Sequence, residues 1–214
     1  MRPEDYQALK ERLETALDEK KTGTFIAAID GRCGSGKSTV AAALQQAFGH
    51  RCNVVHMDDF YLPMEDRPAD WKHIPSANMD LDRFRREVLL PVREGQEAVY
   101  DILRLHEGIR ERQTLPLRPL LLVEGSYCQH TSLRDLYDLR VFLDCPPGEQ
   151  EQRIRERAPE RFEGFRTLWI PLELAYHENC QVREHADLVI DTAGPWRADL
   201  QTAGGPAKDG AQTE

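Results

Sequence analysis

Residues 25–38 read FIAAIDGRCGSGKS, an apolar run that leads into a loop containing glycines, a lysine and a serine. The apolar run is typical of a strand buried on both faces of a parallel sheet. The eight residues from Gly31 to Ser38 match the pattern G-x-x-x-x-G-K-[ST] at every fixed position. A helical pattern follows from Thr39 to Phe48, as this motif requires. The stretch therefore predicts a strand, a phosphate loop and a helix in direct succession.

The glycines of this loop let the backbone curl so that successive N–H groups point inward toward an anion. The N-terminus of the following helix adds partial positive charge. We predict that the loop binds ATP, that Lys37 reaches the β- and γ-phosphates, and that the Ser38 hydroxyl joins the shell of a Mg²⁺ ion. The residues predicted to bind ATP are Gly31, Gly34, Ser35, Gly36, Lys37, Ser38 and Thr39.

The rest of the chain repeats the same alternation of elements. Four more short apolar runs cover residues 52–57, 120–125, 140–144 and 187–191, and helical patterns are clearest at 37–48, 80–94 and 147–157. This order predicts a three-layer α/β fold with a five-stranded parallel sheet flanked by helices. An amphipathic helix is predicted over residues 4–20. We predict one domain over residues 1–194, with an insertion near the active face at 62–119 and a disordered tail at 195–214.

Composition excludes several classes of protein. The chain has 28 Lys and Arg against 37 Asp and Glu, a net charge of −9, which argues against a protein that coats nucleic acid. No apolar run approaches the roughly 20 residues that a membrane span needs. Five scattered cysteines fit reduced thiols. We therefore expect a cytoplasmic protein with neither nucleic acid nor a membrane as partner, and a homo-oligomer is left open.

The acids at the predicted carboxyl edge of the sheet favour a small-molecule kinase over a GTPase, which would carry N-K-x-D, and over a motor. Residues 56–61, HMDDFY, end the second apolar run, where parallel α/β sheets bind ligands. Asp58 is predicted to orient an acceptor hydroxyl and accept its proton. Because adjacent side chains at a strand end point to opposite sides, Asp59 is predicted to have a different role. Glu124 ends another run at this edge and is predicted to hold the metal through water.

Taken in order, these motifs resemble the uridine kinase family of P-loop kinases, which is related to nicotinamide riboside kinase, pantothenate kinase and phosphoribulokinase. The resemblance covers residues 24–192 and is carried by IDGRCGSGKST, VVHMDDFYLP, NMDLDRFRREVLLP, VYD, LLVEGSY and RVFLD. It implies ATP-dependent phosphorylation of a primary hydroxyl, most familiarly the 5′-OH of a nucleoside. By motif, it also implies that Asp58 is the catalytic carboxylate and that Glu124 is the metal-side acid. The acceptor site that it implies comprises Asp59, Tyr61, Tyr100, Asp101 and His106.

The chain departs from the family pattern at two points of this acceptor site. Ser76 stands where uridine kinases tend to place an acid that holds ribose hydroxyls, and His106 comes six residues after Tyr100 instead of five. A nucleoside is the favoured acceptor. Pantothenate, a nicotinamide riboside or a sugar derivative are alternative acceptors, and a nucleotide sensor without turnover is an alternative function.

Residues 149–166 read EQEQRIRERAPERFEGFR and are predicted to form a lid. Arg153 and Arg157 match arginines of the family's lid helix and share one helix face at i, i+4. They are predicted to be catalytic, because arginine stabilises charge on the oxygens of a phosphoryl group in transfer. Glu–Arg pairs at the same spacing offer a second interpretation, a solvated helix with surface ion pairs.

Overall fold

A parallel sheet forms the centre of the computed structural model, which describes residues 1–20, 22–104 and 109–194. The strands are β1 (Phe25–Gly31), β2 (Cys52–His56), β3 (Ala98–Arg104), β4 (Ile109–Leu115), β5 (Leu120–Glu124), β6 (Leu139–Asp144) and β7 (Leu188–Asp191). Five of them form one sheet in the order β2-β5-β1-β6-β7, and every pair in it is parallel. The predicted five-stranded parallel sheet is confirmed.

Helices cover both faces of this sheet. They are α1 (Pro3–Glu19), α2 (Lys37–Phe48), α3 (Leu81–Phe84), α4 (Leu90–Arg93), α5 (Pro147–Arg157), α6 (Phe162–Gly164) and α7 (Ile170–Asn179). None of the helices in the described ranges is both long and apolar enough to cross a lipid bilayer.

Two of the helical segments contain a wide, π-helical turn. Arg85–Leu89 joins α3 to α4, and Phe165–Trp169 joins α6 to α7. In both cases the second residue of the following helix is a proline, Pro91 or Pro171. Proline lacks an N–H and its ring clashes with the carbonyl four residues earlier, so a wider turn ahead of it removes the conflict.

Apolar side chains bury each face of the sheet in a separate core. On one face, Leu9 and Leu13 of α1 and Leu44 of α2 pack against the strands. On the other face, the core includes Phe84 and Tyr176. Burial on both faces explains why the strands read as continuous apolar runs instead of alternating ones. The predicted three-layer α/β fold is confirmed.

The segment predicted as an insertion, residues 62–119, contains α3, α4 and an antiparallel hairpin of β3 and β4, in which Ala98 pairs with Leu115. The sequence reasoning did not anticipate this hairpin. The segment also reaches the α6–α7 region, since the rings of Trp71 and Trp169 lie 5.6 Å apart. The insertion and the segment after the predicted lid are therefore in direct contact.

An ionic cluster around Asp138 ties three elements together at the amino end of β1. Asp138 Oδ2 accepts the backbone N–H of Ile26 at 2.8 Å and lies 3.0 Å from Lys20 Nζ and from Arg93 Nη1. Burial alone would raise the pKa of Asp138, but these donors outweigh it and hold the pKa below its usual value. The charged form of Asp138 therefore stabilises the folded protein.

Candidate functional site

The phosphate loop runs from the end of β1 into α2, as predicted. Gly31 has φ +141°, and a Cβ atom there would lie 2.2 Å from the carbonyl oxygen of Leu143 on the neighbouring strand β6. Gly36 occupies the left-handed region at the start of α2. Lys37 Nζ donates to the carbonyls of Gly31 at 2.6 Å and Arg32 at 3.0 Å, so the lysine closes over the loop. The glycines at positions 31 and 36 are therefore required by the backbone itself.

The structure brings Ser38 and Glu124 together, the two residues predicted to hold the metal. The Ser38 hydroxyl lies 3.1 and 3.2 Å from the two carboxylate oxygens of Glu124, whose side chain is nearly buried. A hydroxyl and a carboxylate are oxygen ligands of the kind that Mg²⁺ prefers, and Mg²⁺ in kinases takes few protein ligands beside phosphate and water. The described residues contain no cluster of three or more His, Cys, Asp and Glu side chains suited to a metal. The fit to Mg²⁺ therefore depends on Ser38 and Glu124 alone. The residues present therefore fit a Mg²⁺ ion.

His56 joins this pair, and the sequence reasoning missed it. Its Nδ1 lies 2.5 Å from Glu124 Oε1, because β2 and β5 are parallel neighbours whose register places His56 beside Glu124. The sequence did contain a signal for this pair, because each of the two residues lies at the end of an apolar run. Only the strand order, which the sequence does not state, makes them neighbours.

Asp58 and Asp59 lie in a single 3-10 turn, Met57–Phe60, directly after β2. The premise that they stand at a strand end is therefore wrong: adjacent side chains of a 3-10 turn are separated by about 120°, not by the 180° of a strand. Their charged neighbours nevertheless differ. Asp58 interacts electrostatically with Glu124 and Lys37, whereas the charge of Asp59 acts on Tyr100.

The pKa of Asp58 is raised above its ordinary value by two causes, removal of water by the surrounding protein and repulsion from the Glu124 carboxylate. The side chain itself is exposed to solvent. Because the carboxylate is exposed, water still reaches it, and the repulsion from Glu124 adds to the effect of desolvation. Two carboxylates that repel each other, those of Asp58 and Glu124, thus lie near the phosphate loop. A cation bound between them would reduce this repulsion.

A cavity of about 200 Å³ opens beside the 3-10 turn, between α3 and the hairpin. Its lining residues are Tyr61, Leu62, Pro63, Asp66, Asp80, Arg83, Glu87, Asp101, Leu103 and Arg110. Of the residues predicted for acceptor binding, Tyr61 and Asp101 line this cavity. Asp59 stands in the adjacent turn, and His106 lies outside the described residues.

Tyr100 occupies a different position. Its side chain is 6% exposed and stacks on Phe60 with ring centroids 5.2 Å apart. Burial raises the pKa of Tyr100 to about 12, which keeps the phenol neutral. Tyr100 thus packs in the core behind the cavity and is not among the residues that line it.

Arg83 organises the cavity wall and was also missed by the sequence reasoning. Its guanidinium donates to the Asp101 carbonyl at 2.9 Å and to the Asp59 carbonyl at 3.4 Å, and lies 4.5 Å from the Phe60 ring. Asp80, the N-cap of α3, accepts the backbone N–H of Arg83. Arg83 therefore links α3, the 3-10 turn and β3. These partners lie 18 and 24 residues away in the chain, and no sequence pattern pointed to them.

The two arginines of the predicted lid have different surroundings. Arg153 donates to the carbonyl of Gly34 at 3.1 Å, to that of Thr192 at 2.6 Å and to Glu149 at 2.5 Å. Arg157 is exposed, and its guanidinium lies 5.8 Å from the ring of Phe165. Arg153 thus joins the phosphate loop, through the Gly34 carbonyl, to the segment after β7, whereas Arg157 is accessible from solvent.

No family model matches the chain, but curated proteins and solved structures do. A uridine kinase from Geobacillus kaustophilus is 30% identical over 182 residues, which cover 78% of this chain and 85% of that protein. A bifunctional alpha-galactosidase/sucrose kinase from Mediterraneibacter gnavus is 32% identical over 178 residues, 71% of this chain but only 18% of that protein.

A solved structure described as a possible uridine kinase from Bacillus stearothermophilus has the same fold. It superposes with a TM-score of 0.64 at 23% identity and covers 86% of this chain and all of that one. Fold, phosphate loop and sequence relatives agree, so this chain is a P-loop kinase and belongs to the uridine kinase-like family.

Proposed function

We propose that this kinase transfers the γ-phosphoryl group of ATP to a hydroxyl of a small molecule, with the 5′-OH of a nucleoside as the favoured acceptor. The observation that carries the proposal is the pairing of Ser38 with Glu124, with Asp58 close enough for Glu124 to raise its pKa. These three side chains are the ones that phosphoryl transfer to an alcohol requires: a hydroxyl and an acid for the metal, and a second acid for the acceptor.

The phosphate loop would hold the nucleotide. In this proposal the N–H groups of residues 34–39 and the side chain of Lys37 bind the phosphates, and Lys37 leaves the two loop carbonyls that it now contacts. Ser38 and, through water, Glu124 would hold Mg²⁺. When bound, Mg²⁺ neutralises charge on the phosphoryl oxygens. Arg157 would approach the transferring group, and Arg153 would set the position of α5 against the loop.

Asp58 would act as the general base. Its raised pKa makes the carboxylate a better proton acceptor than an ordinary aspartate, and its exposure leaves it open to an incoming hydroxyl. The proton of the acceptor hydroxyl would move to Asp58 as the oxygen attacks the γ-phosphorus. Asp59 would instead help to bind the acceptor, in keeping with the effect of its charge on Tyr100.

The acceptor would enter the cavity beside this turn, with Tyr61 and Asp101 as direct contacts. Tyr100 would support the wall from the core, and His106 remains a predicted contact. A second candidate acceptor is a sugar, because four of the ten lining residues are acids and two are arginines. Such groups exchange hydrogen bonds with several hydroxyls at once. The sequence match to a protein named as a sucrose kinase also supports this candidate.

The test is an assay of ATP hydrolysis without acceptor, followed by a panel of nucleosides, sugars, pantothenate and nicotinamide riboside. We expect phosphoryl transfer to a nucleoside. Transfer to a sugar alone would establish the second candidate. ATP binding with transfer to none of the panel would favour a nucleotide sensor. The domain limits, the cytoplasmic location and the oligomeric state remain predictions.

A further inference from the structure

A fourth carboxylate, Glu173 of α7, reaches the phosphate loop and has no part in the mechanism above. Its Oε2 accepts the backbone N–H of Cys33 at 2.6 Å and the Ser126 hydroxyl at 3.3 Å, and its Oε1 accepts the amide of Gln150 at 3.2 Å. The side chain is 3% exposed. Cys33 is the third residue of the eight-residue loop, so Glu173 binds the same kind of donor that such loops offer to phosphate.

Glu173 also acts on the lysine of the loop. Burial lowers the pKa of Lys37, but the negative charges of Glu173 and Asp30 outweigh burial and hold the pKa above its ordinary value. The Lys37 ammonium itself donates to the carbonyls of Gly31 and Arg32, so Glu173 acts on it through its charge and not through a hydrogen bond. A nucleotide phosphate that approaches Lys37 meets a lysine whose charge is already partly neutralised.

The helix that carries Glu173 is fixed to the loop at a second point. The Tyr176 hydroxyl donates to Asp30 Oδ2 at 2.7 Å, and Asp30 directly precedes the loop. Glu173 and Tyr176 are three residues apart, so one face of α7 contacts both the start and the middle of the phosphate loop. The same helix follows the predicted lid in the chain, and Gln150 of α5 shares the Glu173 carboxylate.

From these contacts we propose that Glu173 is a positioning residue that competes with the terminal phosphate of the nucleotide for the phosphate loop. Its carboxylate holds the Cys33 N–H, and the γ-phosphate would take over this donor when the nucleotide binds. The inference depends on the proposed function only in requiring that the loop binds ATP. Because ADP lacks the γ-phosphate, the charge of Glu173 should weaken binding of a triphosphate more than binding of a diphosphate.

The experiment measures the dissociation constants of ADP and of the non-hydrolysable analogue AMP-PNP by calorimetry with Mg²⁺ present. Glu173→Gln removes the charge but keeps an oxygen that can accept the Cys33 N–H. We expect this variant to lower the dissociation constant of AMP-PNP by about 3- to 10-fold and to change that of ADP by less than about 2-fold, in line with one charge acting across a partly screened site. Glu173→Asp keeps the charge and should retain the wild-type ratio of the two constants. Glu178→Gln removes an exposed charge from the same helix and should also leave the ratio unchanged.

Equal changes for the two nucleotides in Glu173→Gln, or weaker AMP-PNP binding, would overturn the inference and leave Glu173 a structural residue. A wild-type protein that binds neither nucleotide would overturn the proposed function and this inference with it. A thermal denaturation curve for each variant separates lost folding from lost selectivity. If Glu173→Gln does not fold, Glu173→Met removes the same charge at similar size and supplies the ratio.

Discussion

Replacement of Asp58 by Asn is the most informative test of the proposed chemistry. The change removes the carboxylate that we expect to accept the acceptor's proton while keeping the size of the side chain. Loss of a general base typically costs 10²- to 10⁴-fold in rate. We expect turnover to fall by about 100-fold or more, which corresponds to about 2.7 kcal/mol in the activation free energy.

The structure predicts that this loss is not accompanied by a loss of stability. Asp58 is exposed, and its pKa is raised, which means that the folded protein disfavours the charged form. Solvent screening keeps this effect small, so neutral Asn should leave the free energy of unfolding within about 0.5 kcal/mol of wild type. ATP affinity should also be retained, because Asp58 is not part of the loop.

The assay compares Asp58→Asn with Asp59→Asn in steady-state turnover at saturating ATP, Mg²⁺ and acceptor, with ATP binding and urea unfolding measured in parallel. The wild-type rate should fall as pH decreases through the raised pKa of Asp58, and the residual rate of Asp58→Asn should lack this dependence. If Asp59→Asn abolishes turnover while Asp58→Asn is mild, the assignment of the base is wrong.

Four further substitutions test the fold and the lid. Gly31→Ala places a methyl group 2.2 Å from the backbone oxygen of Leu143. Because the backbone on both sides cannot move away, we expect the free energy of unfolding in urea to fall by about 3 kcal/mol or more. Near-wild-type stability would contradict the close approach. Asp138→Asn should cost about 1–3 kcal/mol at pH 7. Because the pKa of Asp138 is depressed in the folded state, this loss of stability should be constant above about pH 5. It should shrink as the pH falls below the pKa of the unfolded chain, about 3.9, and vanish in stronger acid. A loss of stability that grows on acidification would refute the role of the charged form. Arg153→Met should lower both the stability and the ATP affinity, because three backbone carbonyls lose their donor. Arg157→Met should instead lower turnover at unchanged stability. The reverse pattern would mean that the two arginines have each other's role.

Local patterns were sufficient to predict the sheet and the loop. The helices over 37–48 and 147–157 have the predicted limits, because the glycine before the first and the proline that begins the second are local signals. Strands buried on both faces are equally easy to recognise as apolar runs. The β3–β4 hairpin was not recognised, since its strands, AVYDILR and IRERQTL, contain many charged residues and one face is open to water.

Contacts between distant segments could not be predicted in this way. Glu173 and Cys33 are 140 residues apart in the chain, and His56 and Glu124 are 68 apart. Glu173 reads as an ordinary helix residue, and nothing in the sequence marks His56 as the neighbour of Glu124, until the helix packing and the strand order are known. The sequence thus identified the loop, the catalytic acid and one metal-side acid as candidates, whereas the groups that hold them in place required the structure.

The wide turn between α6 and α7 has a consequence for the evolution of this protein. Each residue of a helix turns its successors by about 100°, so one residue more or fewer before Pro171 would rotate the following side chains by that angle. Glu173 and Tyr176 reach the phosphate loop from the register that this turn sets. A single-residue deletion in Phe165–Trp169 would therefore disconnect α7 from the loop while leaving every contacting residue unaltered. Descendants of this chain should tolerate substitutions in that turn far better than changes in its length.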